Sequence, residues 1–164
     1  MVSIILDASA FLSGKFTSLP RGYETVITTS YVEEEVRRGA PARSLENLLS
    51  AGLKVKDPAS VGNAERAAER TGDIELLSKA DISIIALALE LENVLVVTDD
   101  FRVQNVLKDM GIRFEPAGEL GGRTINDVWK WTYRCSGCGR YFDEPGKKDI
   151  CPVCGSQVRK KKKR

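Results

Sequence analysis

The sequence predicts an α/β domain, with a mostly parallel central sheet and helices on both faces, followed by a small cysteine-bearing module. Three observations carry this. Short, continuous apolar runs alternate with helical patterns up to about residue 117. Residues 116–124 then gather three glycines and a proline. Beyond them, all four cysteines of the 164-residue chain fall in two Cys-x-x-Cys pairs. Continuous rather than alternating apolar runs suit parallel strands covered on both faces, and strands alternating with helices imply layers of helix on sheet.

In chain order, Val2–Leu6 reads as a buried strand and Thr25–Thr29 as a β-branched one. Leu53–Val55 is a short strand, Val94–Val97 a fully apolar one, and Ile112–Phe114 closes the series. Helices are expected over Tyr31–Arg38 after Ser30, over Ala42–Ser50 ending at Gly52, and over Ser60–Arg70 ending at Gly72. Two more are expected over Asp81–Glu92 and over Phe101–Met110, the latter ending at Gly111. Asp81–Glu92 is aliphatic on nearly every side, as a central helix would be.

Cys135, Cys138, Cys151 and Cys154 have the spacing of a structural zinc site. Four thiolates fill a tetrahedron and leave no position for water. Gly139 and Gly155 follow the two pairs and are expected to let backbone amides fold back toward sulfur. The N-terminus has no basic and long apolar segments of a secretory signal, so disulfides are not expected and a cytoplasmic location is. No apolar run approaches the roughly 20 residues of a membrane span.

A net charge of +2 conceals a split. Residues 1–120 carry 13 Lys and Arg against 19 Asp and Glu, a net of −6, while residues 121–164 carry 12 against 4, a net of +8. Such asymmetry points to a polyanion held by the C-terminal half. The run 159–164 is entirely basic and reads as a separate tail.

Carboxylates recur where chemistry sits in open α/β sheets, at the carboxyl ends of strands. Asp7 follows the first strand, and Asp99 and Asp100 follow Val97-Thr98. On the second helix Val32 and Val36 mark the buried stripe. Ser30 and Glu33 fit a capping box, and Glu34 points about 160° from Val32. Glu35, about 60° away, is then the acid best placed at the core edge. Asp81 fits a capping box with Ser78, but the apolarity of its helix should drive that end toward the strand ends. Asp73 is a weaker candidate, since an aspartate in a turn has its own local reason. Crowded carboxylates repel unless divalent cations sit among them, and Mg²⁺ or Mn²⁺ suits oxygen ligands. A chain with no histidine must draw its nucleophile from water activated by such ions. Ser9 and Thr98 are placed to hold the carboxylates by hydrogen bonds.

The segments Ile5–Phe11, Thr28–Val36, Ala80–Ala88 and Val96–Phe101 resemble those of PIN-domain ribonucleases, over about residues 1–117. A PIN-like domain, a linker (118–128), a Cys₄ zinc ribbon (129–158) and a basic tail (159–164) are together similar to the archaeal form of the Nin-one-binding-protein, or Nob-type, endoribonucleases. The resemblance implies a PIN-like sandwich. It implies a Mg²⁺- or Mn²⁺-dependent endonuclease that matures the 3′ end of small-subunit ribosomal RNA on the precursor ribosome, with ribosome-assembly proteins as further partners. By motif it carries the acidic set onto Asp7, Glu35, Asp81 and one of Asp99 and Asp100. Arg134, Arg140, Lys147, Lys148, Arg159 and Lys160 are the expected RNA contacts. Trp129, Trp131 and Tyr133 are expected to pack within the module rather than stack on bases. Two other readings compete: a catalytically silent RNA-binding assembly factor acting through the ribbon, and a toxin-type PIN ribonuclease, a class usually of one domain.

Overall fold

The computed structural model describes residues 2–38, 41–118, 124–144 and 149–162. The chain divides into two compact units, Met1–Val128 and Trp129–Arg164.

In the first unit five strands form one sheet in the order β3-β2-β1-β4-β5, and every pairing is parallel. The strands are β1 (Ser3–Leu6), β2 (Val26–Thr28), β3 (Lys54–Val55), β4 (Val94–Val97) and β5 (Arg113–Glu115). From β1 the chain winds outward through β2 to β3. It then crosses back to lay β4 on the other side of β1 and continues to β5. The helices are α1 (Ala8–Leu12), α2 (Ser30–Arg37), α3 (Ala42–Ser50), α4 (Gly62–Thr71), α5 (Lys79–Glu90) and α6 (Phe101–Asp109). Helices α1, α2 and α3 pack in series, α4, α5 and α6 pack together, and α2 also packs on α5. The winding direction changes between β1 and β4, where Leu6 pairs with Val97. Asp7 and Thr98 therefore leave the sheet side by side.

The core explains the order. β1 and β4 are apolar and buried, and α5 buries Ala80 and every residue from Ile82 to Ala88. That helix is central, as its composition predicts. It starts at Lys79 rather than Asp81 because Ser78 caps it, and it ends at Glu90 ahead of Asn93, which takes a left-handed φ of 50°. Gly72 ends α4 at φ 78°, and its amide returns to the Ala68 and Glu69 carbonyls.

Four differences from the sequence expectations matter. The N-cap of α2 is Thr29, not Ser30. The Thr29 Oγ accepts from the Val32 amide, while the Ser30 amide and hydroxyl both donate to the Asp57 carboxylate. Glu33 is consequently outside any capping box and binds Arg37 at 2.8 Å. Second, α1 and a 3-10 turn at Ile74–Leu76 are additional elements, too short to show a period. Third, residues 124–128 of the expected linker belong to the first unit. Ile125 is buried, its amide donates to Gln104, and its carbonyl accepts from Lys108 Nζ. Residues 119–123 lie outside the described residues.

The fourth concerns the second unit, a three-stranded antiparallel sheet ordered β7-β6-β8. Its strands are β6 (Trp131–Cys135), β7 (Tyr141–Phe142) and β8 (Val158–Lys162). The basic run is thus no separate tail from Arg159 to Lys162. It is a strand, paired with β6 from Trp131 to Cys135. Lys163 and Arg164 lie outside the described residues.

Truncating the centre of α5 tests the packing claim. Ile85→Ala should lower the unfolding free energy of the first unit by about 2–5 kcal/mol in urea titrations, the range for deleting a fully buried Ile side chain.

Candidate active site and metal centre

The β1/β4 junction is the topological switch point of the sheet, where open α/β folds bind their ligands. Asp7 sits in it, only 4% exposed, as the N-cap of α1. Its Oδ1 accepts from the Ala8 amide at 2.7 Å. Its Oδ2 accepts from the hydroxyls of Thr98 at 2.7 Å and Ser9 at 3.2 Å. The same hydroxyls accept from the next two amides of the β4 loop: Ser9 Oγ from Asp99 at 3.0 Å, Thr98 Oγ1 from Asp100 at 3.1 Å. Ser9 and Thr98 thus do what their positions predict. They tie the carboxylate at the end of β1 to the loop that carries two more acids.

Asp81 arrives on α5. Its Oδ2 accepts from the Ser78 amide at 2.7 Å, and Ser78 Oγ accepts from the Asp81 amide at 3.2 Å, closing the capping box. The box does not exclude a second role. Burial is the largest cause that raises the Asp7 carboxyl from 3.8 to about 6; the Thr98, Ala8 and Ser9 bonds oppose it, and the Asp81 charge adds to the rise. Burial also raises Asp81. The Ser78 bonds lower it, Asp100 raises it again, and the Arg102 guanidinium lowers it. The Asp81 charge thus acts on Asp7 and the Asp100 charge on Asp81.

Asp99 and Asp100 separate here. The Asp99 carboxylate is exposed and accepts the Ala117 amide at 2.9 Å. Asp100 caps α6 through the Arg102 amide at 2.7 Å, and its other oxygen lies 3.9 Å from the Arg102 guanidinium. Of the two, Asp100 is the one whose charge reaches Asp81. Glu35 is exposed on α2 rather than at the core edge. Asp73 is buried and accepts from Asn105 at 2.7 Å. Two buried hydroxyls the sequence reading passed over brace the cleft: Thr28 donates to the Leu6 carbonyl, and Thr29 bonds Ser83 at 2.7 Å, linking α2 to α5.

In the second unit the four thiols form, among the described residues, the one cluster of three or more Cys, Asp and Glu placed to share an ion. All four sulfurs lie within 4.8 Å of one another. Zinc–thiolate bonds of about 2.3 Å imply tetrahedral sulfur–sulfur edges of about 3.8 Å. Cys138 and Cys151 stand 3.8 Å apart, and Cys135 and Cys154 3.3 Å. The donors fit one structural zinc. The Gly137 and Cys138 amides donate to Cys135 Sγ. The Arg140 and Ser156 amides, each directly after a glycine, reach Cys138 and Cys154 as expected. At φ 73° and 71° Gly139 and Gly155 return their own amides to the carbonyls of Cys135 and Cys151, closing each loop. Gly137 is needed for space, because a Cβ there would stand 2.3 Å from Ser156 Oγ. That hydroxyl, with the Ser156 amide, holds the Cys154 thiol down at about 6.

The strand register sorts the basic residues of this unit onto two faces, since residues directly opposite in an antiparallel pair share a face. Trp131 faces Lys162, Tyr133 faces Lys160, and Cys135 faces Val158. On this face Lys160 lies over the Trp131 ring at 5.0 Å and Lys162 over Trp129 at 4.0 Å. On the other, Thr132 faces Lys161 and Arg134 faces Arg159, with Tyr141 beside Arg134 and 63% exposed. Arg140 is exposed in the loop between β6 and β7, while Lys147 and Lys148 lie outside the described residues.

The Asp7 shift fixes a sign. The folded chain holds this proton more tightly than the unfolded chain, so stability is lost as pH rises from about 4 to about 6. Relative to Asp7→Asn, the wild type without added Mg²⁺ or Mn²⁺ should lose about 3 kcal/mol across that window, read by urea titration at each pH.

Comparison with known proteins agrees with this geometry. Residues 4–91 match the family described as PIN domain of ribonuclease. The chain is 40% identical over 161 residues to endoribonuclease Nob1 of Pyrococcus abyssi, covering 96% of this chain and 92% of that protein. It is 30% identical over 158 residues to ribonuclease VapC1 of Thermoplasma acidophilum, covering 95% and 76%. Over 93 residues it is 32% identical to the 20S-pre-rRNA D-site endonuclease NOB1 of Saccharomyces cerevisiae, covering 55% and 20%. A PIN cleft with its acids at the switch point, followed by a Cys₄ module and matched along nearly its whole length, places this chain in the Nob1 family of PIN-domain endoribonucleases.

Proposed function

We propose that the chain cuts precursor small-subunit ribosomal RNA near its 3′ end, with divalent cations held by Asp7, Asp81 and Asp100 and with Glu35 joining them by motif. The observation that carries this is the chain of carboxylates at the strand ends and α5: the Asp81 charge acts on Asp7 and the Asp100 charge on Asp81, and Asp7 and Asp81 both have raised pKa. The Arg102 guanidinium lowers Asp81 and lies 3.9 Å from Asp100. The donors of this set are all oxygen, which suits Mg²⁺ or Mn²⁺, and they do not converge as tightly as the thiols do, which leaves room for retained waters. When bound, such ions supply an activated water and neutralise charge on the scissile phosphate. The chain's own part is positional. Thr98 and Ser9 fix Asp7 Oδ2, and the Asp99 and Asp100 amides fix those hydroxyls. Asp99, holding the Ala117 amide, sets the loop.

The substrate class follows from the relatives' names and from the ribbon. The face with Arg134, Arg159 and Lys161 juxtaposes like charges across two strands, an arrangement destabilising by itself and relieved by a polyanion. Phosphate contacts of this kind position an enzyme without reading sequence. The lysines of the opposite face are already drawn over indole rings. Arg140 adds to the cationic surface. The VapC1 similarity spans nearly the whole chain, so possession of the ribbon does not exclude the toxin-type reading. The pre-rRNA reading is favoured by the higher identity and coverage of the Nob1 relative. Acids at every motif position argue against a silent adaptor.

Two measurements test this. Asp7→Asn should lower Mn²⁺-supported cleavage of an RNA spanning the small-subunit 3′ end by more than about 100-fold, the scale of removing an essential charge from a phosphoryl-transfer site. Undiminished cutting would end the reading. Asp100→Asn should act comparably and Asp99→Asn much less. For the ribbon, Arg159→Gln with Lys161→Gln should reduce the slope of log affinity against log salt by about 1.4–1.8. Lys160→Gln with Lys162→Gln should change it less.

A further inference from the structure

Beside the acidic cleft lies a groove of about 370 Å³ between the first turns of α2, α4 and α5. Leu77 and Ile82 form apolar lining, Tyr31 stands at its edge 44% exposed, and Lys79 and Glu65 reach it from α5 and α4. It adjoins the acidic site through Ser78. Ser78 lines the groove and is bonded in both directions to Asp81. Tyr31 precedes Glu35 by four residues on α2 and so shares its face of the helix. The packing of the domain does not use the Tyr31 ring fully, and the mechanism above gives it no part.

We propose that this groove receives one nucleobase of the RNA strand, a nucleotide or two from the scissile phosphate, stacked on Tyr31. The inference rests on the nuclease reading and deepens it. A strand that presents a phosphate to Asp7 and Asp81 carries its neighbouring base past Ser78 to the groove. The lining suits that occupant. An aromatic ring and aliphatic side chains take the flat faces of a base. The Lys79 ammonium takes an adjacent phosphate, and the Glu65 carboxylate accepts from an exocyclic amino group. Recognition of an unpaired base in this way is how single-stranded RNA is read. The ribbon would then hold the backbone without regard to sequence, and the groove would choose the register of the cut.

The test uses the full chain and an RNA spanning the small-subunit 3′ end. In the first arm the Asp7→Asn protein is irradiated with this RNA under ultraviolet light, and crosslinked peptides are mapped. The expected crosslink is at Tyr31. In the second arm, wild type, Tyr31→Ala and Tyr31→Phe cleave a series of RNAs, each abasic at one position. Wild type should lose about tenfold at one position near the cut, within the range for a stacked base. Tyr31→Ala should lose a similar factor on intact RNA and nothing more at that position. Tyr31→Phe should behave as wild type, which shows that the fold is kept. Crosslinks confined to other peptides overturn the groove, as do losses from Tyr31→Ala and the abasic position that multiply. If wild type cuts nothing while Tyr31 still crosslinks, the nuclease reading fails and the groove remains an RNA site.

Discussion

A carboxylate in a place that disfavours charge organises the first unit. Asp7 is buried at the end of β1 because β1 and β4 are both apolar and pair in register to their last residues, Leu6 and Val97. The change of winding direction between those strands leaves a crevice above them, and Asp7 cannot avoid it. Three donors accept the task of solvating the anion, yet burial still outweighs them. The hydroxyls are in turn fixed by the two amides of the β4 loop. The position of Asp100 is thus set by the same bonds that hold Asp7. The capping acid of α5 acts on Asp7 in turn, and Asp100 acts on that acid, so that carboxylates repel rather than form an ion-pair network there.

Much of this was legible in the sequence, for physical reasons that differ by element. The parallel strands read correctly because burial on both faces removes polar alternation. Helix α5 read correctly because a helix buried all round cannot be mistaken for a surface one. The four-cysteine cluster read correctly because ligand spacing is a covalent fact of the chain. Other features depend on who wins a local competition. Both Thr29 and Ser30 can cap α2, and the choice falls to Thr29 because Asp57, distant in sequence, captures the Ser30 hydroxyl. Glu33 follows, turning to Arg37. That Asp99 binds the Ala117 amide while Asp100 caps α6 likewise rests on a contact distant in sequence. The basic run from Arg159 reads as a tail because six consecutive cations lack any strand signature. Its partner β6 supplies the aromatic and β-branched residues for both strands.

That strand alters what the charge split means. A disordered cationic tail would act as a diffuse attraction, falling off with salt. A paired strand instead assigns each cation a face. Trp129 and Trp131 accept Lys162 and Lys160, which lowers the cost of crowding them. On the other face Arg134, opposite Arg159, lies over the Tyr141 ring at 5.7 Å. The sequence expectation that the tryptophans pack within the module agrees with the first arrangement. Tyr141, not a tryptophan, is the exposed ring on the second face.

The two kinds of metal site are kept apart by the same composition that defines them. Imidazole is the ligand that would blur the distinction, since it binds zinc, manganese and iron alike, and this chain contains none. Its donors sort instead into four thiolates within 4.8 Å of one another and a looser set of carboxylates in another unit. Soft sulfur in a closed tetrahedron selects zinc and saturates it. Hard oxygen in a half-open cleft selects ions that keep water, and only an ion that keeps water can deliver one to a phosphodiester. Removing histidine therefore does more than deny the enzyme a general base. It leaves thiolates as the soft donors and carboxylates as the hard ones, in separate units of the chain.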